Sequence, residues 1–155
     1  MRVRPWLVRW LLNVYPPYLG AGVRIRRISA DWQELDVAMK LHWYNRNAVG
    51  VHFGGSLYSM IDPHLMLLLM QQLGPDYLVW DQAARIEFLK PGRGEVRAAI
   101  RLPRERTEQI RAEAADGAPC RPEFEIQIED SDGTAIARVH KTLYVRRKNP
   151  KGRTK

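Results

Sequence analysis

One segment constrains the fold more than any other. From Ser56 to Leu73 the chain carries a single formal charge, Asp62, and its apolar residues cover nearly every face of a helix: Leu57, Met60, Ile61, Leu65, Leu68 and Leu69, with Met66 and Met70 elsewhere on the wheel. A helix that is apolar all round is buried, whereas a surface helix keeps a polar side. Lipid is not the cover, because the longest apolar run, Leu65 to Met70, falls far short of the ~20 residues a membrane span needs. The rest of the chain must therefore wrap this helix, which ends before Gly74-Pro75.

Strands are available to do so. Val23 to Ile28 and then Leu35, Val37, Met39 and Leu41, alternating with period two, predict two antiparallel strands joined through Ser29-Ala30-Asp31. Downstream, Ala84 to Leu89, Glu95 to Leu102, Glu123 to Glu129 and Thr134 to Arg146 predict four more, broken at Pro91-Gly92-Arg93-Gly94 and at Asp130-Ser131-Asp132-Gly133. The last two strands form a hairpin. Arg104 to Ala115, rich in Arg, Glu and Ala, predicts an exposed helix inserted between strands. Trp6, Leu7, Trp10 and Leu11 recur at helical spacing, so residues 5–14 predict an amphipathic helix ended by Pro16-Pro17 and packed on the core through that apolar side. The same Trp and Arg residues also suit a helix lying on an anionic membrane surface.

The formal charge of +8 suggests nucleic acid until it is divided along the chain. Residues 1–30 hold six Arg and no acid, and residues 146–155 hold six Lys or Arg and no acid, which leaves residues 31–145 mildly acidic. A basic groove across the domain is excluded by that distribution, and a nucleic-acid partner is not expected. The last residues, 147–155, read as a basic, solvated tail. Arg9 interrupts the apolar run at the start, so no secretion signal is expected. With one cysteine, Cys120, the chain has no disulfide framework, and a reducing cytosol is the expected compartment. His42, His64 and His140 lack metal-ligand spacing with one another or with Cys120, so no metal is expected.

A motif precedes the apolar helix. Asn47, Gly50, Gly54, Gly55 and Asp62 stand in the register Asn, two residues, Gly, two residues, His-Gly-Gly, and Asp seven residues after the second Gly. This pattern resembles the signature of hotdog-fold acyl-CoA thioesterases of the phenylacetate-pathway type. The His slot holds Phe53, and a His sits one place earlier, at His52. With an aromatic there, the chain resembles a less characterised, thioesterase-like branch in which Phe-Gly-Gly-Ser-Leu-Tyr recurs. The resemblance spans about residues 20–146. It implies an α+β hotdog fold, in which an antiparallel sheet wraps a long central helix at about residues 55–73. The N-terminal helix (1–20) and the insertion at 104–115 are additions, with the hotdog domain proper at 21–146. It also implies a homodimer or dimer of dimers, with sites assembled from both subunits, and no cofactor beyond the coenzyme A of the substrate.

The residues support chemistry of that kind. Gly54 and Gly55 open the buried helix, where unpaired backbone N–H groups and a partial positive charge can polarise a thioester carbonyl; a tight turn alone also explains two glycines. Asp62 lies too deep in the helix to cap it, and its neighbours at i±3 and i±4, Tyr58, Ser59, Leu65 and Met66, include no cation. Such a carboxylate is functional or paired across the fold, and desolvation suits a general base or nucleophile. Pro63 predicts a kink beside it. Asn47 is either a water-orienting residue or a turn former, and His52 is a replacement for the displaced His or an unrelated side chain. Ser56 and Tyr58 are candidates for hydrogen bonds near the thioester, Ser56 also for an N-cap. Met60, Met66 and Met70 suit the core or an acyl tunnel, and Arg93, Arg97 and Arg101 suit coenzyme A phosphates or simple solvation. The leading expectation is hydrolysis of an acyl-CoA with a medium or long acyl chain. The alternative is an acyl-binding hotdog protein without turnover.

Overall fold

Residues of one parity meet the core in nearly every strand, and this organises the molecule. The computed structural model describes residues 3–148. β1 (Val23–Ile28) and β2 (Glu34–Lys40) form the predicted antiparallel hairpin, burying Val23 and Ile25 against Leu35, Val37 and Met39. β4 (Glu95–Arg101), β5 (Glu123–Asp130) and β6 (Ala135–Arg147) continue the sheet, with Val96, Ala98, Ile100, Ile126, Ile128, Val139, Leu143 and Val145 turned inward. With β3 (Tyr77–Phe88) the sheet has six strands in the order β1-β2-β4-β5-β6-β3, every neighbour antiparallel. β5 and β6 are the predicted hairpin, closed where Asp130 Oδ1 accepts the backbone N–H groups of Asp132 and Thr134.

β3 starts seven residues before the strand predicted at Ala84. Its pairing with β6 shifts register between Asp81 and Ala83, and this bulge interrupts the alternation that marks a strand in sequence. β3 is also an edge, so Gln82 to Arg85 stay exposed, with polar residues at Gln82 and Arg85.

The apolar segment is helical but not one helix. α3 (Gly54–Ser59) and α4 (His64–Leu73) are separated by turns at Met60 to Pro63, so the predicted kink is a full break. Met60, Ile61, Leu65, Leu68 and Leu69 are buried in the curve of the sheet, each contributing about 1.5–3 kcal/mol relative to exposure. Burial is not complete on all sides as predicted: Met66 and Leu67 are only partly covered and Met70 is exposed.

At the N-terminus, α1 (Pro5–Asn13) is followed by α2 (Pro16–Ala21). Pro16 and Pro17 end the first helix as predicted but also open the second, where a missing N–H costs nothing. The packing side of α1 differs from expectation. Val8 and Leu12 touch the core, while Trp6, Trp10 and Leu11 face outward. α5 (Arg104–Glu113) is the predicted insertion, anchored by buried Thr107 and Ile110. Of the tail predicted at 147–155, Arg147 closes β6 and Lys148 N–H donates to Asp76 C=O at 2.7 Å; residues 149–155 lie outside the described residues.

Candidate functional site

The break between α3 and α4 turns Asp62 toward the sheet. Asp62 N–H still closes the last helical turn onto Tyr58 C=O, and Pro63 then stops the helix. The Asp62 carbonyl is taken up by a side chain: Lys141 Nζ donates to it at 2.6 Å. The same amine lies 3.3 Å from Asp62 Oδ1, 3.3 Å from the Tyr58 hydroxyl and 2.8 Å from Asp81 Oδ1 on β3. Tyr58 O–H donates to Asp62 Oδ1 at 2.8 Å. Asp62 is thus paired across the fold, one of the two roles open to it in the sequence. Its side chain is 49% exposed, so the desolvated carboxylate expected there is not what the fold builds.

The desolvated members are Lys141, with a side chain 0% exposed, and Asp81, at 24%. Burial pulls the Lys141 amine down, but Asp81, Tyr58 and Asp62 more than offset it and hold it above its ordinary value. For Asp81 the balance goes the other way, and burial lifts the carboxyl despite the amine. Burial and the hydrogen bond to Asp62 raise the Tyr58 hydroxyl, against the opposing pull of Lys141. Lys141 stays protonated on these terms and presents its charge to the inner side of Asp62.

Behind this cluster, fully buried His64 lies with Nε2 3.4 Å from the Tyr18 hydroxyl. Burial lowers the His64 imidazole from 6.5 to about 3, so it is neutral, and burial lifts Tyr18 well above its ordinary range.

Lys141 was missed from the sequence, although a signal for it exists. Along β6 the inward residues are Ala137, Val139, Lys141, Leu143 and Val145, so a cation occupies a core position of an alternating strand. Such a residue must find a buried partner.

The other predicted residues gather elsewhere. Asn47, His52, Gly54 and Arg93 line one cleft of about 600 Å³, together with Leu57, Phe88 and the segment Leu89 to Gly92. Asp62, Tyr58, Ser56 and Gly55 do not line it. Asn47 is a turn residue: its Oδ1 accepts the N–H groups of Val49 and Val51. His52 is buried and points at the β3–β4 loop, its Nε2–H donating to Gly94 C=O at 3.0 Å while its own N–H donates to Gly92 C=O. Burial lowers its imidazole, partly offset by the Gly94 carbonyl, and in this arrangement the His52 side chain fastens the loop. Arg93 is exposed at the rim, and Arg97 is paired to Glu95 and Arg101 to Asp36.

The N-cap of α3 is Phe53, not Ser56. Among the described residues the Gly54 and Gly55 N–H groups have no acceptor. Both glycines sit close under aromatic rings that would have to move to admit a side chain. A Cβ on Gly54 would lie 2.8 Å from Phe88 Cζ, and one on Gly55 would lie 2.5 Å from Phe53 Cε1. Two partly exposed rings therefore stand over the helix start that was expected to be open.

A second residue that sequence reasoning passed over is Asn45. Buried beside the motif, it donates to Ala21 C=O and Lys40 C=O at 2.9 and 2.8 Å and accepts the His42 N–H at 2.7 Å, tying the loop to both α2 and β2. Among the described residues no group of three or more His, Cys, Asp or Glu is placed to hold a metal.

With this geometry in place, comparison with solved structures is informative about the fold. PA5026 of Pseudomonas aeruginosa, described as a protein of unknown function and "probable thioesterase", superposes with a TM-score of 0.82 at 20% identity over 95% of this chain and 98% of its own. The thioesterase HI1161 of Haemophilus influenzae gives 0.69 at 15% identity over 98% and 96%, and OLEI01261 of Chlorobaculum tepidum, of unknown function, 0.73 at 18% over 96% and 99%. These matches bear out the hotdog fold, with its central helix divided in two. A sequence search of curated proteins finds no match. A family model described as a domain of unknown function, DUF4442, matches residues 4–145, and the protein accordingly belongs to that family.

Proposed function

We propose that this protein hydrolyses an acyl thioester, with acyl-CoA as the substrate class, and that Asp62 is the general base or nucleophile. The observation that carries this reading is the Asp62 carboxylate itself. It is half-exposed, held by the Tyr58 hydroxyl at 2.8 Å and backed by a buried ammonium, so it is oriented while one side remains open to water or substrate. In the base role it takes the proton of a water that attacks the thioester carbon; the carbon–sulfur bond breaks and the thiolate leaves to be protonated. The free N–H groups at Gly54 and Gly55 are the proposed oxyanion donors, assisted by Asn47, with Arg93 at the cleft rim for the phosphates of coenzyme A.

Within one chain the carboxylate and the cleft are separate, which supports a site shared between two copies. Among the described residues β3 is a sheet edge 12 residues long; it carries Asp81, and Lys141 links Asp81 to Asp62. A second copy pairing along β3 would continue the sheet and bring its own cleft toward Asp62.

The test is thiol release from acyl-CoAs of increasing chain length, comparing wild type with Asp62→Asn. The expected outcome is chain-selective turnover that falls about a hundredfold or more in the variant. Absence of turnover on every member by the wild type would overturn the proposal. In that case a second reading, acyl-CoA binding without hydrolysis, is favoured by one specific feature: the Phe53 and Phe88 rings crowd the helix start where the thioester carbonyl would bind. That reading requires the wild type to hold acyl-CoA and Asp62→Asn to hold it equally well.

A further inference from the structure

α1 is held by its polar and small apolar residues and shows its largest ones to solvent. Asn13 clamps it to β1, with Oδ1 accepting the Ile25 N–H at 2.8 Å and Nδ2 donating to Ile25 C=O at 3.1 Å. Val8 and Leu12 pack on the core, and no residue of the helix is fully buried. Facing outward are Trp6 at 60% exposure, Trp10 at 58%, Leu11 and Val14, continued by Tyr15 and Leu19 into α2. Trp6, Trp10 and Val14 follow one another at spacings of four, so they lie along one stripe. Single exposed apolar residues need no explanation, but a run with two tryptophans outermost marks an interaction surface.

The charge around the stripe narrows the partner. Arg26 is paired to Glu95, and Arg27 to Glu34 and Asp36. Arg4, Arg9 and Arg24 are exposed and have no carboxylate partner among the described residues, and no acid occurs in residues 1–30. An aromatic stripe beside unneutralised guanidinium groups complements a surface that is apolar within and negative at its boundary. Tryptophan and tyrosine favour the headgroup level of a bilayer, and Arg adds attraction to anionic lipid. A second copy laid face to face would bring the same cations together. No described helix is long and apolar enough to cross a membrane, so the geometry is that of a helix lying flat.

We infer that α1 and the start of α2 form a peripheral docking face for an anionic lipid bilayer, with Trp6 and Trp10 inserted at the headgroup level and Arg4, Arg9 and Arg24 meeting lipid phosphates. This is independent of the catalytic reading, since none of these residues belongs to the Asp62 cluster or the cleft.

Flotation of the full chain with vesicles tests it, using neutral phosphatidylcholine alone or with about 30 mol% phosphatidylglycerol. Wild type is expected to partition at least about tenfold more strongly onto the anionic vesicles, less so at high salt, and W6S/W10S to lose about tenfold of that partitioning. The charge-reversed pair R4E/R9E, independent of the tryptophans, is expected to abolish the preference for anionic lipid. Three outcomes overturn the inference. Wild type shows no anionic preference; or W6S/W10S floats as wild type does, which assigns binding to the basic residues at the C-terminus; or W6S/W10S changes oligomeric state by light scattering, which assigns the face to a second copy.

Discussion

Replacing Lys141 with Met removes the one cation that, among the described residues, sits in a cluster with two carboxylates. The substitution keeps the long apolar stem but takes away the amine that lies 2.8 Å from Asp81 Oδ1, 3.3 Å from Asp62 Oδ1 and 2.6 Å from the Asp62 carbonyl. Removing one partner of a buried ion pair costs about 3–5 kcal/mol, because the remaining charge stays desolvated. Asp81 retains a quarter of its exposure and Asp62 half, so water reaches both and the lower end, about 3 kcal/mol at neutral pH, is expected. Urea denaturation followed by circular dichroism measures it. The pH dependence is a second, independent signature. Asp81 is already lifted by burial above 3.8, and without the amine its folded value rises further. A group whose folded value is raised favours the protonated fold, so its contribution is fully present below its unfolded value and lost as pH rises through the folded one. The K141M penalty relative to wild type is therefore small at about pH 4 and full by about pH 7. Removing the second charge as well, in K141M/D81N, is expected to recover about 2 kcal/mol. A penalty under about 1 kcal/mol at neutral pH, or one unchanged across this range, would refute the buried-pair argument.

The remaining predictions probe neighbouring parts of the same frame. His64 titrates at 6.5 when unfolded and at about 3 in the fold, so below the unfolded value the unfolded chain gains protons that the fold refuses. Stability falls by about 2 kcal/mol between about pH 6.5 and pH 5. His64→Leu is expected to flatten this slope in urea midpoints, and an unchanged slope would exclude His64 as its source. Tyr58→Phe removes the 2.8 Å hydrogen bond that orients Asp62. Turnover of acyl-CoA is expected to fall about tenfold with stability within about 1 kcal/mol of wild type, checked by kinetics and a thermal melt on the same preparation. Asn45→Ala leaves two part-buried carbonyls and one N–H without this partner, for a loss of about 1–3 kcal/mol in urea, whereas Asn47→Ala, at a turn, is expected to cost under about 1.

Which parts of this molecule could be read from its residues follows from how local the causes are. β2, β4, β5 and β6 alternate over most of their length, so period two located them to within a residue or two. β3 broke the pattern because its bulge lies inside the strand and its exposed edge tolerates Gln82 and Arg85. The orientation of α1 was inverted for a different reason. Trp6, Leu7, Trp10 and Leu11 form the larger apolar side, and hydrophobic spacing assigns the larger side to the core; the fold instead uses Val8 and Leu12, with Asn13 fixing the helix to Ile25. Spacing reports that a side is apolar but not what covers it, and here the outward side carries the bulkiest residues of the helix.

The candidate site shows the same division more sharply. That Asp62 needed a partner followed from its own helix, which offers no cation within a turn in either direction. The partner stands 79 residues later on β6, and only the register that pairs β6 with β3 sets its amine between Asp62 and Asp81. Its trace in sequence was nevertheless present, as one Lys among Ala137, Val139, Leu143 and Val145 on the inward parity of a strand. A buried ammonium is costly unless paired, so a lysine in that position demands at least one carboxylate from elsewhere in the fold. Asp62, a carboxylate without a local cation inside an apolar helix, makes the complementary demand. The two anomalies are complementary in the sequence alone, and Asp81 is the one member that neither predicts, since the charge balance of Lys141 with Asp62 alone is already neutral. The extra carboxylate makes the cluster net negative with Lys141 protonated, and it lets Lys141 remain charged while Asp62 keeps one side open to solvent.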